Sequence, residues 1–102
     1  MKAINNGEYG LVIYFDLEED VSSNTNQIEI KDPDGNESIK TATLGTTTIT
    51  GTEIGTLTAN QYVTYQLADG DIDEDGRWMV RAVSTGGGKK RKTNWQPLVV
   101  KA

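Results

Sequence analysis

The residues with the clearest potential for chemistry are three alternating aspartates, Asp71, Asp73 and Asp75, which are followed by Gly76. Their spacing matches the start of a calcium-binding loop, in which alternating carboxylates turn toward one cation. Such a loop also needs a bidentate glutamate at its twelfth position, where this chain has Ala82. The match is therefore incomplete. The favoured interpretation is a solvated acidic turn that leads into the next strand, with a metal site as the alternative.

A second candidate is the basic run Lys89, Lys90, Arg91 and Lys92, which follows three glycines and precedes Trp95. Clustered positive charge attracts acidic surfaces or phosphates, and tryptophan is common at interfaces. We therefore expect these five residues to bind a partner, the alternative being a solvated hairpin tip. Because the chain has a net charge of −5 and shows no second basic patch, we favour an acidic protein as the partner and do not expect nucleic acid.

The composition excludes most catalytic chemistry. The chain has no histidine and no cysteine, which removes the commonest general base, the thiolate nucleophile and the usual transition-metal ligands. A pair of carboxylates of the glycosidase kind is the remaining option, and nothing in the sequence marks such a pair. We therefore expect neither an enzyme nor a cofactor.

These candidate residues must be positioned by β-strands, because apolar residues come in short alternating runs and no segment of ten or more residues has helical periodicity. The most apolar run, 11–15, predicts a strand that is buried on both faces. The runs 27–31, 61–67 and 77–84 alternate and predict strands with one buried face. The predicted core consists of Leu11, Ile13, Phe15, Ile28, Ile30, Val63, Tyr65, Trp78 and Val80.

Turn residues connect these strands. The segment 32–35 has proline second and glycine fourth, which fits a type I turn and predicts a hairpin between 27–31 and 38–44. The glycines at 86–88 predict a second turn, from which 89–95 returns as a strand. The threonine-rich segment 46–58 predicts one or two short strands with few core residues, and we expect it to be an exposed edge that docks a partner.

Seven or eight short strands, separated by turns, are typical of an all-β sandwich or barrel. The chain shows no linker and no internal repeat, so we expect residues 1–102 to form a single domain. No apolar run approaches the roughly 20 residues that a membrane span requires, and the first residues contain no apolar signal-peptide core. We therefore expect synthesis in a cytoplasm and no membrane partner.

Three segments occur in an order that resembles small immunoglobulin-like virion proteins of tailed bacteriophages. They are the isoleucine strand that ends in 31–35, the tyrosine strand 62–65, and the segment 70–78 that leads to Arg81 and Ala82. The order is also similar to sandwich modules of phage upper-baseplate proteins, and the resemblance covers roughly residues 8–100. The basic run and the glycine triplet depart from the family's pattern. The family's turn lacks a full calcium triplet, and the family offers no catalytic residues to transfer.

The resemblance implies an immunoglobulin-like antiparallel β-sandwich and a non-catalytic structural protein of the virion. Its place would be in the neck, a tail or baseplate adaptor, or the decoration of the head. The partners would be portal, neck, tail or capsid proteins and further copies of the chain itself, and the location would be the virion after synthesis in the host cytoplasm. The alternative is a carbohydrate-binding or adhesion sandwich, which exposed aromatic residues along one sheet would favour.

Overall fold

The structure is a computed structural model that describes residues 4–52 and 54–101, and these residues form strands, turns and loops without a helix. Accordingly, this part of the chain contains no helix that is long and apolar enough to cross a membrane. In chain order the strands are β1 (Ile4–Asn5), β2 (Val12–Asp16), β3 (Thr25–Lys31), β4 (Glu37–Thr41), β5 (Thr43–Leu44), β6 (Ile49–Thr52), β7 (Gly55–Leu57), β8 (Tyr62–Gln66), β9 (Gly76–Gly86), β10 (Lys89–Lys92) and β11 (Gln96–Lys101).

The larger sheet is built around β9, which is 11 residues long. Its strand order is β1-β11-β9-β3-β4, and β10 also pairs with β9. Strand β3 runs antiparallel along one edge of β9, while β10 and β11 share the other edge, also antiparallel. Strand β1 pairs in parallel with the end of β11. Residues from both halves of the chain therefore meet on this one sheet.

The smaller sheet has the order β2-β8-β5, and its neighbours are antiparallel. Strands β6 and β7, from the threonine-rich segment, form a separate two-stranded hairpin with an irregular register. One or two short strands were predicted there, and the structure has two. Glu53, the charged residue of this segment, lies outside the described residues.

Side chains from the two larger sheets meet in one hydrophobic core, an arrangement compatible with a β-sandwich. Seven of the nine predicted core residues belong to it. They are Ile13, Phe15, Ile28, Ile30, Val63, Trp78 and Val80. The alternation predicted for the runs 27–31 and 77–84 is confirmed on their core-facing sides. Val21 anchors the long loop after β2 and is fully buried.

The prediction that the run 11–15 is buried on both faces is wrong. Val12 and Tyr14 are each 38% exposed, because β2 lies in an outer sheet whose second face has little cover there. Leu11 and Tyr65 are also only partly buried and pack against the rim of the core. The hydroxyl of Tyr65 reaches toward the acidic loop at the surface, and Leu11 precedes β2 at the edge of its sheet.

Both predicted hairpins form. In the first, Asp32 Oδ1 accepts hydrogen bonds from the backbone N–H groups of Asp34 (3.0 Å) and Asn36 (2.8 Å), and Gly35 takes the positive φ of 91° that closes the turn. In the second, Gly87 and Gly88 have φ angles of 58° and 80°, which suits a tight two-residue turn between β9 and β10.

The described residues contain eleven strands, where seven or eight were predicted. One predicted strand is divided: the run 38–44 leaves the larger sheet at Ala42 and continues as β5 in the smaller one. The two strands predicted at 89–95 and 98–101 correspond to β10 and β11.

Candidate functional site

The outer face of the larger sheet, opposite the core, collects most of the chain's basic residues. In β9 the buried side chains of Trp78, Val80 and Ala82 define the core-facing set, so Arg77 and Arg81 belong to the outer face. The strand registers extend this assignment to the neighbouring strands. The basic residues on this face, which we call the cationic face, are Lys31, Arg77, Arg81, Lys90, Lys92 and Lys101.

The same registers place two acidic residues, Glu29 and Glu37, on the cationic face. Six basic against two acidic side chains give a formal excess of four positive charges, on a chain whose net charge is −5. The other acidic residues are carried by other parts of the chain. The domain is therefore electrostatically polarised, and its field attracts negatively charged surfaces to this one face.

Trp95 lies at the centre of the cationic face, between two cations. Its ring centroid is 4.1 Å from Arg81 Cζ and 4.8 Å from Lys31 Nζ. Arg81 Nε in turn donates a hydrogen bond of 2.6 Å to Glu29 Oε1, across the pair that β3 and β9 place in register. The cation–π contacts and the ion pair hold the tryptophan and the arginine in fixed positions on the surface.

A β-bulge positions Trp95. Lys92 pairs with Val83 and Gln96 with Val80, so three residues, 93–95, oppose two residues of β9. Thr93 anchors the bulge, because its N–H donates to the Ala82 carbonyl and its Oγ1 accepts from the Ala82 N–H, both at 3.0 Å. The extra residue shifts the alternation and directs the indole to the outer face, the kind of redirection for which bulges are known.

The predicted basic run divides between the two faces of its strand. Lys90 and Lys92 point outward, on the same face as Trp95. Lys89 and Arg91 belong by register to the opposite, inner side of the sheet, although their side chains remain 63% and 41% exposed. Both pair with one carboxylate: Lys89 Nζ is 3.2 Å from Glu19 Oε2, and Arg91 Nη1 is 3.3 Å from Glu19 Oε1. The hydrogen bond from Lys89, together with both positive charges, lowers the pKa of Glu19. Half of the run thus ties the hairpin to the loop 17–24, and half is displayed.

Apolar side chains accompany the cations. Ile39 is 60% exposed and Val99 is 47% exposed, and both lie on the cationic face by register. Met79 and Pro97 are paired on the same face between them. A surface that combines arginine, tryptophan and aliphatic side chains has the composition of a protein–protein interface.

The three aspartates of the calcium-loop motif have different environments. Asp71 is a structural residue: its Oδ2 accepts hydrogen bonds from the Tyr65 hydroxyl and, at 2.8 Å, from the Ala68 N–H. Its Oδ1 lies 3.4 Å from Lys40 Nζ. Burial acts to raise the pKa of Asp71, but these contacts outweigh it and lower the pKa. Asp73 and Asp75 are exposed in the loop beyond it.

A different acidic group comes together at this end of the sandwich. Carboxylate oxygens of Asp32, Asp34 and Glu74 lie within 4.8 Å of one another, which joins the first hairpin turn to the acidic loop. Burial, followed by the charges of Asp34 and Asp32, raises the pKa of Glu74. This group does not include the predicted Asp71, Asp73 and Asp75. Sequence spacing could not reveal it, since Glu74 is 42 and 40 residues from Asp32 and Asp34 in the chain.

Sequence reasoning identified Lys90, Lys92 and Trp95 but missed Lys31, Arg77, Arg81 and Lys101. The alternation of Arg77 and Arg81 with core residues was a usable signal, because it placed both on one face. The contribution of Lys31 depends on the register between β3 and β9, which no local pattern fixes.

Comparison of the chain with protein-family models, with curated proteins and with solved structures finds no match. The case for a function therefore depends on the geometry and on the sequence motifs.

Proposed function

We propose that the chain is a non-catalytic structural protein of a tailed-bacteriophage virion, in the neck, a tail or baseplate adaptor, or the decoration of the head, and that it docks through its cationic face. The observation that carries the proposal is the concentration of six basic side chains around Trp95, with exposed Ile39 and Val99, on one face of an acidic domain. The partner that this face suits is an acidic protein surface with apolar patches.

We include in this proposal an immunoglobulin-like topology. Immunoglobulin domains place strands B, E and D in one sheet and C, F and G in the other, with C′ added in variable-type domains. The order β2-β8-β5 corresponds to B-E-D, and β11-β9-β3-β4 corresponds to G-F-C-C′, with β10 as the first half of G. The β6–β7 hairpin is an addition between D and E. This order supports the implied relation to the phage sandwich modules.

The distribution of charge supports assembly in many copies. The acidic group Asp32, Asp34 and Glu74 lies beside the first residues of β9, whereas Lys90 and Lys92 flank its last residues. The acidic group and these two lysines are therefore separated along β9, so that Lys90 and Lys92 of one copy can meet the acidic group of the next. Contacts of this head-to-tail kind form a ring when the rotation between copies closes, and repeated weak contacts add up to firm attachment.

The environment of the aromatic residues favours this role over a carbohydrate-binding or adhesion module. Phe15, Tyr62 and Trp78 are buried, and Trp95 is covered by two cations. Tyr14 is exposed, but its ring is tilted by 41° against the Tyr62 ring, and the more exposed Tyr9 lies in the loop before β2, so the two do not form a flat row of rings along a sheet.

The test is the protein content of purified particles from the source phage. Mass spectrometry and gel analysis should find this 11.1 kDa chain in the particles, in several copies per particle relative to the portal protein. Its presence in infected cells but absence from washed particles would contradict a structural role. Failure of the particles to assemble in infections that lack the gene would give independent support.

A further inference from the structure

Strand β2 is an edge strand of the smaller sheet, and one side of its backbone points away from the domain. It pairs with β8 alone among the described strands. Leu67 N–H donates to the Leu11 carbonyl and Leu17 N–H donates to the Gln61 carbonyl, each at 2.9 Å. Odd-numbered residues of β2 therefore bond to β8, since hydrogen-bonded and non-bonded pairs alternate in an antiparallel ladder.

The even-numbered residues Val12, Tyr14 and Asp16 consequently direct their N–H and C=O groups outward. No backbone hydrogen bond to these groups is present within residues 4–52 and 54–101. At roughly 3.3 Å per residue, they form a row of donors and acceptors about 17 Å long. A row of this kind is a template on which another strand can pair.

The other exposed edges of the described strands carry the features that prevent strand pairing. Strand β10 has four basic residues, β4 has Glu37 and Lys40, and β11 has Pro97. Strands β1 and β5 are each two residues long, and the short β6–β7 hairpin is irregular. Charge, proline and shortness are the usual protections of sheet edges. Strand β2 differs, because it is uncharged from Val12 to Phe15 and five residues long.

A cleft of about 580 Å³ runs along this unprotected edge. Besides β2, the cleft is lined by Gly51, Thr52 and Ile54 of the β6–β7 hairpin and by Thr93 and Gln96. Because three separate segments of the chain line the cleft, a single extended segment fits there more readily than the edge of a second folded sheet. Among the described residues that line the cleft, Asp16 is the charged one.

We infer that β2 is a strand-addition site, which binds an extended peptide segment of a partner protein as a further strand of the smaller sheet. The segment pairs with the N–H and C=O groups of Val12, Tyr14 and Asp16, which supply affinity without regard to sequence. Its preferred chemistry is apolar or β-branched residues at alternate positions, which rest against Val12, Tyr14 and Ile54, and a lysine or arginine at the end that meets Asp16.

The site differs from the edge that the sequence predicts. The threonine-rich segment 46–58 was expected to dock a partner directly, but it forms its own hairpin and lines the cleft instead. The inference goes beyond the proposed function and does not depend on it, because none of the basic residues of the cationic face lines the cleft and the test needs no particle.

The probe is a seven-residue peptide of alternating valine and threonine with a lysine at each end, acetylated and amidated, and its matched control has glutamate at each end. Amide hydrogen exchange, followed by NMR, should show that the lysine peptide protects Val12, Tyr14 and Asp16. Ile13 and Phe15, which already bond to β8, should not change. We expect the lysine peptide to bind about three to ten times more tightly than the glutamate peptide, and the variant Asp16→Asn to remove that preference.

Proline substitution separates backbone pairing from side-chain contact. Tyr14→Pro removes an outward N–H that the domain's own ladder does not use, and Tyr14→Val removes the ring but keeps the N–H. We expect the proline variant to lose about three- to tenfold in affinity relative to the valine variant. If Tyr14→Pro does not fold, the alternating protection of the unmodified chain decides the question.

Three results would overturn the inference: no protection of these amides by either peptide at millimolar concentration, protection that does not alternate along β2, or protection that maps to β4 or β10. Analytical ultracentrifugation completes the test. No association through β2 is expected, whereas a dimer that Tyr14→Pro dissociates would assign the edge to a second copy and overturn the assignment to a partner's peptide.

Discussion

The indole ring of Trp95 lies over the guanidinium group of Arg81, with 4.1 Å between its centroid and Arg81 Cζ. Since Arg81 is also bonded to Glu29 across the sheet, the ring, the cation and the carboxylate form one unit. The unit depends on the extra residue that the bulge at 93–95 inserts between β10 and β11. An aromatic side chain held in this way loses little freedom on binding, which suits it to the centre of an interface.

Replacement of Trp95 should therefore affect stability and docking together. We expect Trp95→Ala to lower the free energy of unfolding by about 1–2 kcal/mol, because two cation–π contacts at a partly exposed site are lost. Urea denaturation measures this change. A double-mutant cycle with Arg81→Ala should give a coupling energy of about 0.5–1 kcal/mol. If the effects of the two substitutions on the free energy of unfolding are additive, the contact between Trp95 and Arg81 contributes nothing to stability.

The contact between Tyr65 and Asp71 should set the pH range of stability at the acidic end of the sandwich. Contacts from Tyr65, Ala68 and Lys40 lower the pKa of Asp71. The stability that its ionised carboxylate gives the fold is therefore complete above about pH 4 and is lost as the pH falls through the lowered pKa. Burial and the hydrogen bond to Asp71 raise the pKa of Tyr65. The stability that its protonated hydroxyl gives the fold is therefore complete below about pH 10 and is lost as the pH rises from there through the raised pKa.

We expect Tyr65→Phe to cost about 1–3 kcal/mol at neutral pH, since it removes a hydrogen bond to a buried carboxylate. The substitution should also reduce the loss of stability toward low pH. Thermal unfolding between pH 3 and pH 10 checks both effects, with Tyr9→Phe, at an exposed tyrosine, as the matched control. A Tyr65→Phe variant whose pH profile parallels that of the unmodified chain would contradict the role given to Asp71.

Glu74 should destabilise the domain when it is ionised. Burial and the neighbouring charges of Asp34 and Asp32 raise the pKa of Glu74. The stability that its protonated form gives the fold is therefore complete below about pH 4 and is lost as the pH rises through the raised pKa. We therefore expect Glu74→Gln to raise the melting temperature at pH 7 and to have little effect near pH 4. A lower melting temperature at pH 7 would show that the three carboxylates are held together by an attraction, such as a bound cation.

Gly45 has a steric role that one substitution can test. A Cβ at this position would overlap the ring of Tyr62, whose hydroxyl donates to the Thr47 carbonyl at 2.7 Å. We expect Gly45→Ala to cost about 1–3 kcal/mol in the free energy of unfolding, because the buried ring has no space to move. Thr46→Ala, at an exposed neighbour, is the control and should change stability little. Equal losses of stability in Gly45→Ala and Thr46→Ala would show that the backbone at Gly45 does not pack against the Tyr62 ring as closely as described above.

Local patterns predicted the elements of this fold but not their combination. The alternation around Ile28 and Val80, and the glycines and prolines of the turns, located the central strands and both hairpins, since these signals come from residues close in the chain. The burial of each face of β2 depends on which other elements of the fold cover it. The sequence of this strand is equally apolar on both faces and therefore does not show which face is buried. The bulge that directs Trp95 outward comes from a mismatch of one residue between β9 and the strands that follow it, and the alternation of residue types does not reveal this mismatch.

The candidate site shows the same limit. The basic run was visible as a cluster, but its division into inward Lys89 and Arg91 and outward Lys90 and Lys92 follows from the pairing with β9 and from the position of Glu19. The acidic group formed by Asp32, Asp34 and Glu74 likewise exists only because the two loops meet in space. Side-chain type was readable from the sequence, whereas partnership between distant residues was not.

The central claim is that the cationic face docks the chain in the particle. The division of the basic run allows the most direct test of it, because the inward pair of residues serves as a matched control for the outward pair. Two double variants remove the same charge from the same strand: Lys90→Ser with Lys92→Ser on the outer face, and Lys89→Ser with Arg91→Ser on the inner side. Co-sedimentation with particles that lack the chain, at low and at physiological salt, gives the affinity of each. The outward double variant should bind about tenfold or more weakly and depend less steeply on salt, while the inward variant should bind much like the unmodified chain. Equal binding by both variants, or a loss confined to the inward one, would contradict docking through the cationic face.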